Sequence, residues 1–256
     1  SGADPKAGLI TAIVAGFLIS LLGGSKVQIG GPTGAFIVVV YGVIQQHGFD
    51  GLLLATLMAG IILLVGGLMR AGRFIALVPG AVIEGFTVGI ALIIAVSQFK
   101  DLFGLSAAKV SADLLEALPA LWAARGSINP AALTIGTLSI VGMALLRRIA
   151  PWFPGSLLVI AAASAGAVAF NLPMDTIQSR FGALPAGIPA LSLPHLSMAR
   201  ISDLLPAAFV IAFLAGVESL LSAIVADRMI ESRHRSNAEL IAQGAANIAS
   251  PLFGGL

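Results

Sequence analysis

From Thr33 to Ile44 the chain carries an apolar run that, as an α-helix, rises only about 18 Å against a bilayer core about 30 Å thick. It is too short to cross. Ahead of it, Lys26-Val27-Gln28-Ile29 alternates polar and apolar residues at the strand period, and Gly30-Gly31-Pro32 then interrupts the chain where a helix has to begin. The pattern predicts an extended segment that climbs to mid-membrane and hands over to a half-helix over 33–46. Non-helical backbone is tolerated at that depth only where protein buries it or a watery cavity faces it, so the break marks a functional place. Pro32 suits the first helical position because it lacks an N–H, and the amides of Thr33, Gly34 and Ala35 have no carbonyl one turn earlier to bond. The helix dipole adds partial positive charge there. With almost no side chain at Gly30, Gly31, Gly34 and Ala35, an anion can approach those amides closely. A glycine-rich loop before an ordinary helix is the alternative the same residues allow.

Composition sets the class around this run. Hydrophobic residues make up 58% of the chain and charged residues 10%, with a mean hydropathy of +1.02, whereas a soluble domain carries roughly 25% charged residues. A polytopic, all-α membrane protein is expected. With no cysteine there is no disulfide and no thiolate nucleophile or metal ligand, and a formal charge of +2 is too small to imply a nucleic-acid partner. The start, SGADP followed directly by an apolar run, does not have the form of a cleavable signal peptide.

Full spans are read at Pro5–Leu22, Gly51–Met69, Pro79–Gln98, Pro130–Leu146, Pro154–Phe170, Ser202–Ala226 and Asn237–Phe253. Gln45 to Asp50 is a polar turn, Ser111 to Ala124 a short amphipathic helix with Ser111 as N-cap, and Asn171 to Arg200 a loop rich in Pro and Gly. Arg70, Arg73, Arg147, Arg148, Arg228, Arg233 and Arg235 fall at ends that alternate along the chain. The positive-inside rule puts those ends in the cytoplasm, and the turn at residue 47 and the loop 171–200 outside.

Glu218 stands mid-way along AAFVIAFLAGVESLLSAIVA, where an acidic residue costs about 2.5 to 3.5 kcal/mol on insertion scales. Ser222 lies one helical turn on and shares its face, so the pair forms an oxygen-rich patch suited to a coupling proton or cation. A protonated acid bonded to a neighbouring helix is the plainer alternative. Asp203 and Glu239 are read at span ends, and Glu84 lies close enough to one to snorkel. His47, His195 and His234 are read as solvated loop residues without metal-ligand spacing. No Walker A sequence, nucleophile elbow or zincin pattern occurs, so neither enzyme activity, nor a metal, nor a cofactor is expected.

The ordered set GGSKVQIGGPTGAFIVVV, VIEGFTVGIALIIAVSQFKDLFGL, GALPAGIPALSLP, AGVESLLSAIVADRM and HRSNAELIAQGAANIASPLFGG resembles the sulfate permease family of anion transporters over nearly the whole chain. That resemblance implies fourteen segments in two inverted seven-segment repeats, arranged as a core and a gate domain, with the anion between two facing half-helices. Residues 1–78 and 202–256 then belong to the core, 79–170 to the gate and 171–201 to an extracytoplasmic loop. Gln28, Gly31, Pro32, Thr33, Gly34 and Ala35 map to the anion site, and Glu218 with Ser222 to the coupling position. Glu there resembles the proton-coupled members, whereas Asp with a hydroxyl one turn later resembles sodium-coupled bicarbonate carriers. A proton is therefore the expected coupling ion, with sodium as the alternative.

The resemblance further implies a small anion substrate of the sulfate, bicarbonate or dicarboxylate class, carried by alternating access in the inner (plasma) membrane by a homodimer of the full-length protein. The family's first segment, the second half-helix expected just after Gly255, the four segments beyond it and the cytoplasmic STAS domain are not matched in these 256 residues. A nucleobase or ascorbate permease of the same fold, and an anion channel or membrane scaffold without coupling, are the competing expectations.

Overall fold

The computed structural model describes residues 3–31, 33–77, 79–106, 114–182, 187 and 189–256, and they are helical with no strand among them. Among the described residues nine α-helices follow in chain order: α1 (Pro5–Leu22), α2 (Ile37–Leu68), α3 (Gly80–Leu102), α4 (Leu114–Ala123), α5 (Pro130–Ile149), α6 (Gly155–Ala169), α7 (Ile177–Phe181), α8 (Met198–Ile230) and α9 (Ser236–Leu252). Among the described residues α1, α2, α5 and α8 are long and apolar enough to cross a membrane. Two compact units emerge, one of residues 1–90 with 183–256 and one of residues 91–182.

The first unit is built on α2. Its residues Leu52, Leu54, Ala55, Ala59 and Leu63 bury against Leu204, Ala208, Ile211, Ala212 and Leu220 of α8 and Leu240 of α9. Helices in hydrocarbon gain little from apolar burial as such, so close approach through small residues has to hold them. Gly60 and Gly244 provide it: a Cβ on Gly60 would stand 2.7 Å from the Ile248 nitrogen, and one on Gly244 2.6 Å from the Leu64 nitrogen. On the other face of α9, Ala246 packs with Ala15 and Ile19 of α1. Asp4 caps α1 by accepting from the Lys6 amide at 2.9 Å.

The expected polar turn at 45–50 is compressed to one residue. Helical backbone continues through it except at Gly48, whose φ of 71° and ψ of 179° break α2 into a short arm, 37–47, and a long one. That conformation is essentially restricted to glycine. The short arm also begins later than the sequence suggests. A 3-10 turn occupies Gly34–Phe36 and regular α-helix starts at Ile37, because Phe36 N–H bonds the Thr33 carbonyl three residues back. Pro32, read as the first helical residue, lies outside the described residues, as does Ser111, read as the cap of the amphipathic helix. α8 is longer than expected at both ends: Ser197 caps it from Arg200 N–H, and Pro206 sits inside it.

In the second unit Asn129 caps α5, its Oδ1 accepting from Ala131 and Ala132 N–H, while its Nδ2 donates to the Pro173 carbonyl at 2.6 Å. Arg180 pairs with Asp101 at 2.7 Å. The loop read over 171–200 thus contains α7, opened by a Thr176–Ser179 capping box. Leu138, Leu145 and Ile149 of α5 and Leu157 and Ile160 of α6 stay exposed, as suits side chains facing hydrocarbon.

Candidate functional site

Within the first unit a cavity of about 340 Å³ opens where the non-helical segment meets α8 and α9. Gln28, Gly31 and Thr33 form one wall, Glu218, Ser219 and Ser222 of α8 another, and Thr11 of α1 with Gln243 and Asn247 of α9 complete it. The fold therefore brings Gln28, Gly31, Thr33, Glu218 and Ser222, separated by up to 194 positions in the chain, around one space. Gly34 and Ala35 form the 3-10 turn directly after Thr33. Gly31 has open space where a Cβ would stand.

Two groups reach from α8 toward the helix start. The Thr33 side chain hydrogen-bonds the Glu218 carboxyl, whose Oε2 is buried with no partner among the described residues. Ser222, four residues later, is exposed to the cavity side of α8. A hydroxyl, a carboxyl with one oxygen unpaired and the backbone at Thr33, just ahead of the helix, thus line one cavity, which Gly34 and Ala35 themselves do not line. Such a set can receive an anion at that backbone and a proton or cation at the carboxyl.

Two side chains at helix ends are buried rather than solvated. Glu239 lies in the first turn of α9, at the span end expected for it, yet it is not solvated there: it is 1% exposed, its Oε1 accepting from the Ser219 hydroxyl and its Oε2 from Gly24 N–H, both at 2.9 Å. Ser219 in turn accepts from Gln28 Nε2 at 3.3 Å and Gln243 Nε2 at 3.0 Å. The signal was present in AELIAQG, where Glu239 and Gln243 stand four apart on one helical face. His234 is likewise not solvated. Its side chain is 7% exposed, with Nδ1 2.7 Å from Asp227 and Nε2 2.9 Å from the Ser236 hydroxyl. Nothing in the residues 231–236 taken alone points to that clamp, which needs Asp227 brought back by the turn at Glu231.

Known proteins resemble this chain in sequence and in fold. The chain is 42% identical over 257 positions to the putative sulfate transporter YvdB of Bacillus subtilis (strain 168), covering all of this chain and 48% of that protein. It is 32% identical to the bicarbonate transporter BicA of Synechocystis sp. (strain ATCC 27184 / PCC 6803 / Kazusa), covering 99% of this chain and 46% of that one. Among solved structures, the transmembrane domain of a cyanobacterium bicarbonate transporter BicA superposes with a TM-score of 0.84 at 28% identity, over the whole of this chain and 66% of that one. SLC26A9 shares the fold with a TM-score of 0.76 at 18% identity, over 98% of this chain and 44% of that one. The chain spans about half the length of the curated relatives it matches. Several long apolar helices in a family of transporters make it part of a multi-pass membrane protein. The family model for sulfate permeases matches residues 1–256, and the chain belongs to the sulfate permease family.

Proposed function

We propose that this chain forms the anion-carrying part of a secondary active transporter in the inner (plasma) membrane. A small anion of the sulfate, bicarbonate or dicarboxylate class sits at the Thr33–Ala35 helix start, and Glu218 carries the coupling proton. The observation behind this is the shared cavity in which Thr33, at the break in the backbone, is bonded to the Glu218 carboxyl. A bound anion and an ionised Glu218 would repel, on the order of 4 kcal/mol for unit charges 4 Å apart at an effective dielectric of 20. A proton on Glu218 removes that repulsion, so anion and proton bind more readily together than singly. Joint binding of the two is what symport requires.

Residues 1–78 and 202–256 act as the core that carries the ligand, 79–170 as the gate, and the full-length protein works as a homodimer. Relatives named as sulfate and bicarbonate transporters support an anion as the cargo. Uptake in vesicles of the full-length protein tests the coupling. Glu218→Gln keeps the shape and removes the titrating group; it should retain exchange at equilibrium while accumulation driven by a pH gradient drops at least tenfold. Parent-like accumulation by Glu218→Gln would make the carboxyl structural.

A further inference from the structure

Glu239 does not line the cavity, yet one of its oxygens holds Ser219, which does, and the other holds Gly24, four residues ahead of the lining residue Gln28. Ser219, the residue after Glu218, has a single hydroxyl hydrogen and gives it to Glu239 Oε1. Its lone pairs are then filled by Gln28 Nε2 and Gln243 Nε2, and Gln28 Nε2 also donates to the Ser219 carbonyl at 3.1 Å. On the other side, Glu239 Oε2 takes Gly24 N–H, while the Gly24 carbonyl accepts from Arg235 N–H at 3.1 Å. The segment that carries Gln28 is therefore held at its base by the first turn of α9, and at Gln28 itself by a hydroxyl whose direction Glu239 sets.

We infer that Glu239 is a positioning residue of the anion seat, acting through Ser219 and Gly24 to fix Gln28 against the helix that bears Glu218. The inference rests on the function proposed above. Two donors converge on this buried carboxylate, and a side chain offering one acceptor leaves one of them unpaired. An amide in its place goes further, because its NH₂ faces a donor: with its oxygen on Gly24 N–H, it drives its own hydrogens at a Ser219 oxygen already taken by two carboxamides. The wall loosens at Gln28. The helix start and Glu218 keep their own contacts, so the loss falls on binding and not on turnover.

The test measures concentration-dependent uptake of labelled sulfate and labelled bicarbonate by the full-length protein in vesicles. Glu239→Gln should raise KM about tenfold with maximal rate within about twofold of the parent, and Gln28→Ala should raise KM similarly. The double variant should be no worse than Gln28→Ala alone, because Glu239 acts only by way of Gln28. Glu239→Asp, which keeps the charge but reaches one partner at a time, should recover part of the loss. An unchanged KM in Glu239→Gln, or losses that add in the double variant, overturns the inference. Should Glu239→Gln fail to reach the membrane, Ser219→Ala removes the same link and carries the same expectations of KM and non-additivity, with the same outcomes against it. If Gln28→Ala itself leaves KM at the parent value, the seat is elsewhere and the proposed function is what fails.

Discussion

Thr33 holds the site's two chemistries together, because its backbone opens the helix and its hydroxyl meets Glu218. Thr33→Val keeps the shape and β-branching and deletes only that hydroxyl, leaving the carboxyl a further unpaired oxygen in a half-buried place. Gradient-driven accumulation should fall several-fold with expression and thermal stability near the parent's, and Thr33→Ser should restore most of it; equal accumulation by Val and Ser variants would detach Thr33 from coupling. At this scale the sequence was informative where a residue was out of character for its surroundings. Glu218 stood out as a carboxylate in the middle of an apolar run, and Gln28 as polar ahead of a glycine break. Glu239 did not stand out, because a carboxylate in the first turn of a helix is what an ordinary solvated end contains. Its burial comes from Gly24 and Ser219, 215 and 20 positions away, and the four-residue spacing to Gln243 marks a shared helical face without naming either partner.

The long apolar elements were legible because length and hydropathy decide them almost alone. Their ends were not, since single hydrogen bonds set them: Ser197 starts α8 before the apolar run does, and Phe36 N–H to the Thr33 carbonyl delays regular helix to Ile37. Which faces of these elements meet is written in the glycines. Gly60 of α2 and Gly244 of α9 meet with backbone against backbone, and a Cβ on Gly60 would lie 2.8 Å from the Gly244 carbonyl oxygen. Nothing at that contact is a flexible side-chain end that can swing away. Gly60→Val should therefore push α2 and α9 apart, at about 1 to 3 kcal/mol for overpacking. In detergent this should appear as a clear drop in the thermal unfolding midpoint and a weaker seat, because α9 also carries Glu239 and Gln243. A midpoint within the scatter of the parent's would mean the helices are not held by that approach.

At the scale of the molecule, charge is segregated along α8 in a way that makes the chain's orientation testable. Its 33 residues rise about 50 Å, more than a bilayer core of about 30 Å, so both ends emerge. Near the first end Arg200 pairs with Asp50 at 2.6 Å, and His47 lies 3.3 Å from Asp203, close to the Gly48 break. Arg228 stands in the last turn at the second end and Arg233 and Arg235 lie past it, with Lys26 and Arg235 lining one cavity beside the Asp227–His234 clamp. A basic cluster on that end belongs on the cytoplasmic side, and the mixed, paired end outside. These 256 residues contain no cysteine, so labelling of one introduced among them is read against the unsubstituted protein. His195 and Arg233 are both exposed, one before α8 and one after it. In intact cells a membrane-impermeant maleimide should label His195→Cys and leave Arg233→Cys unlabelled until the cells are permeabilised. Labelling of Arg233→Cys from outside, with His195→Cys protected, would invert the molecule in the membrane, and with it the side from which the Gln28 segment enters.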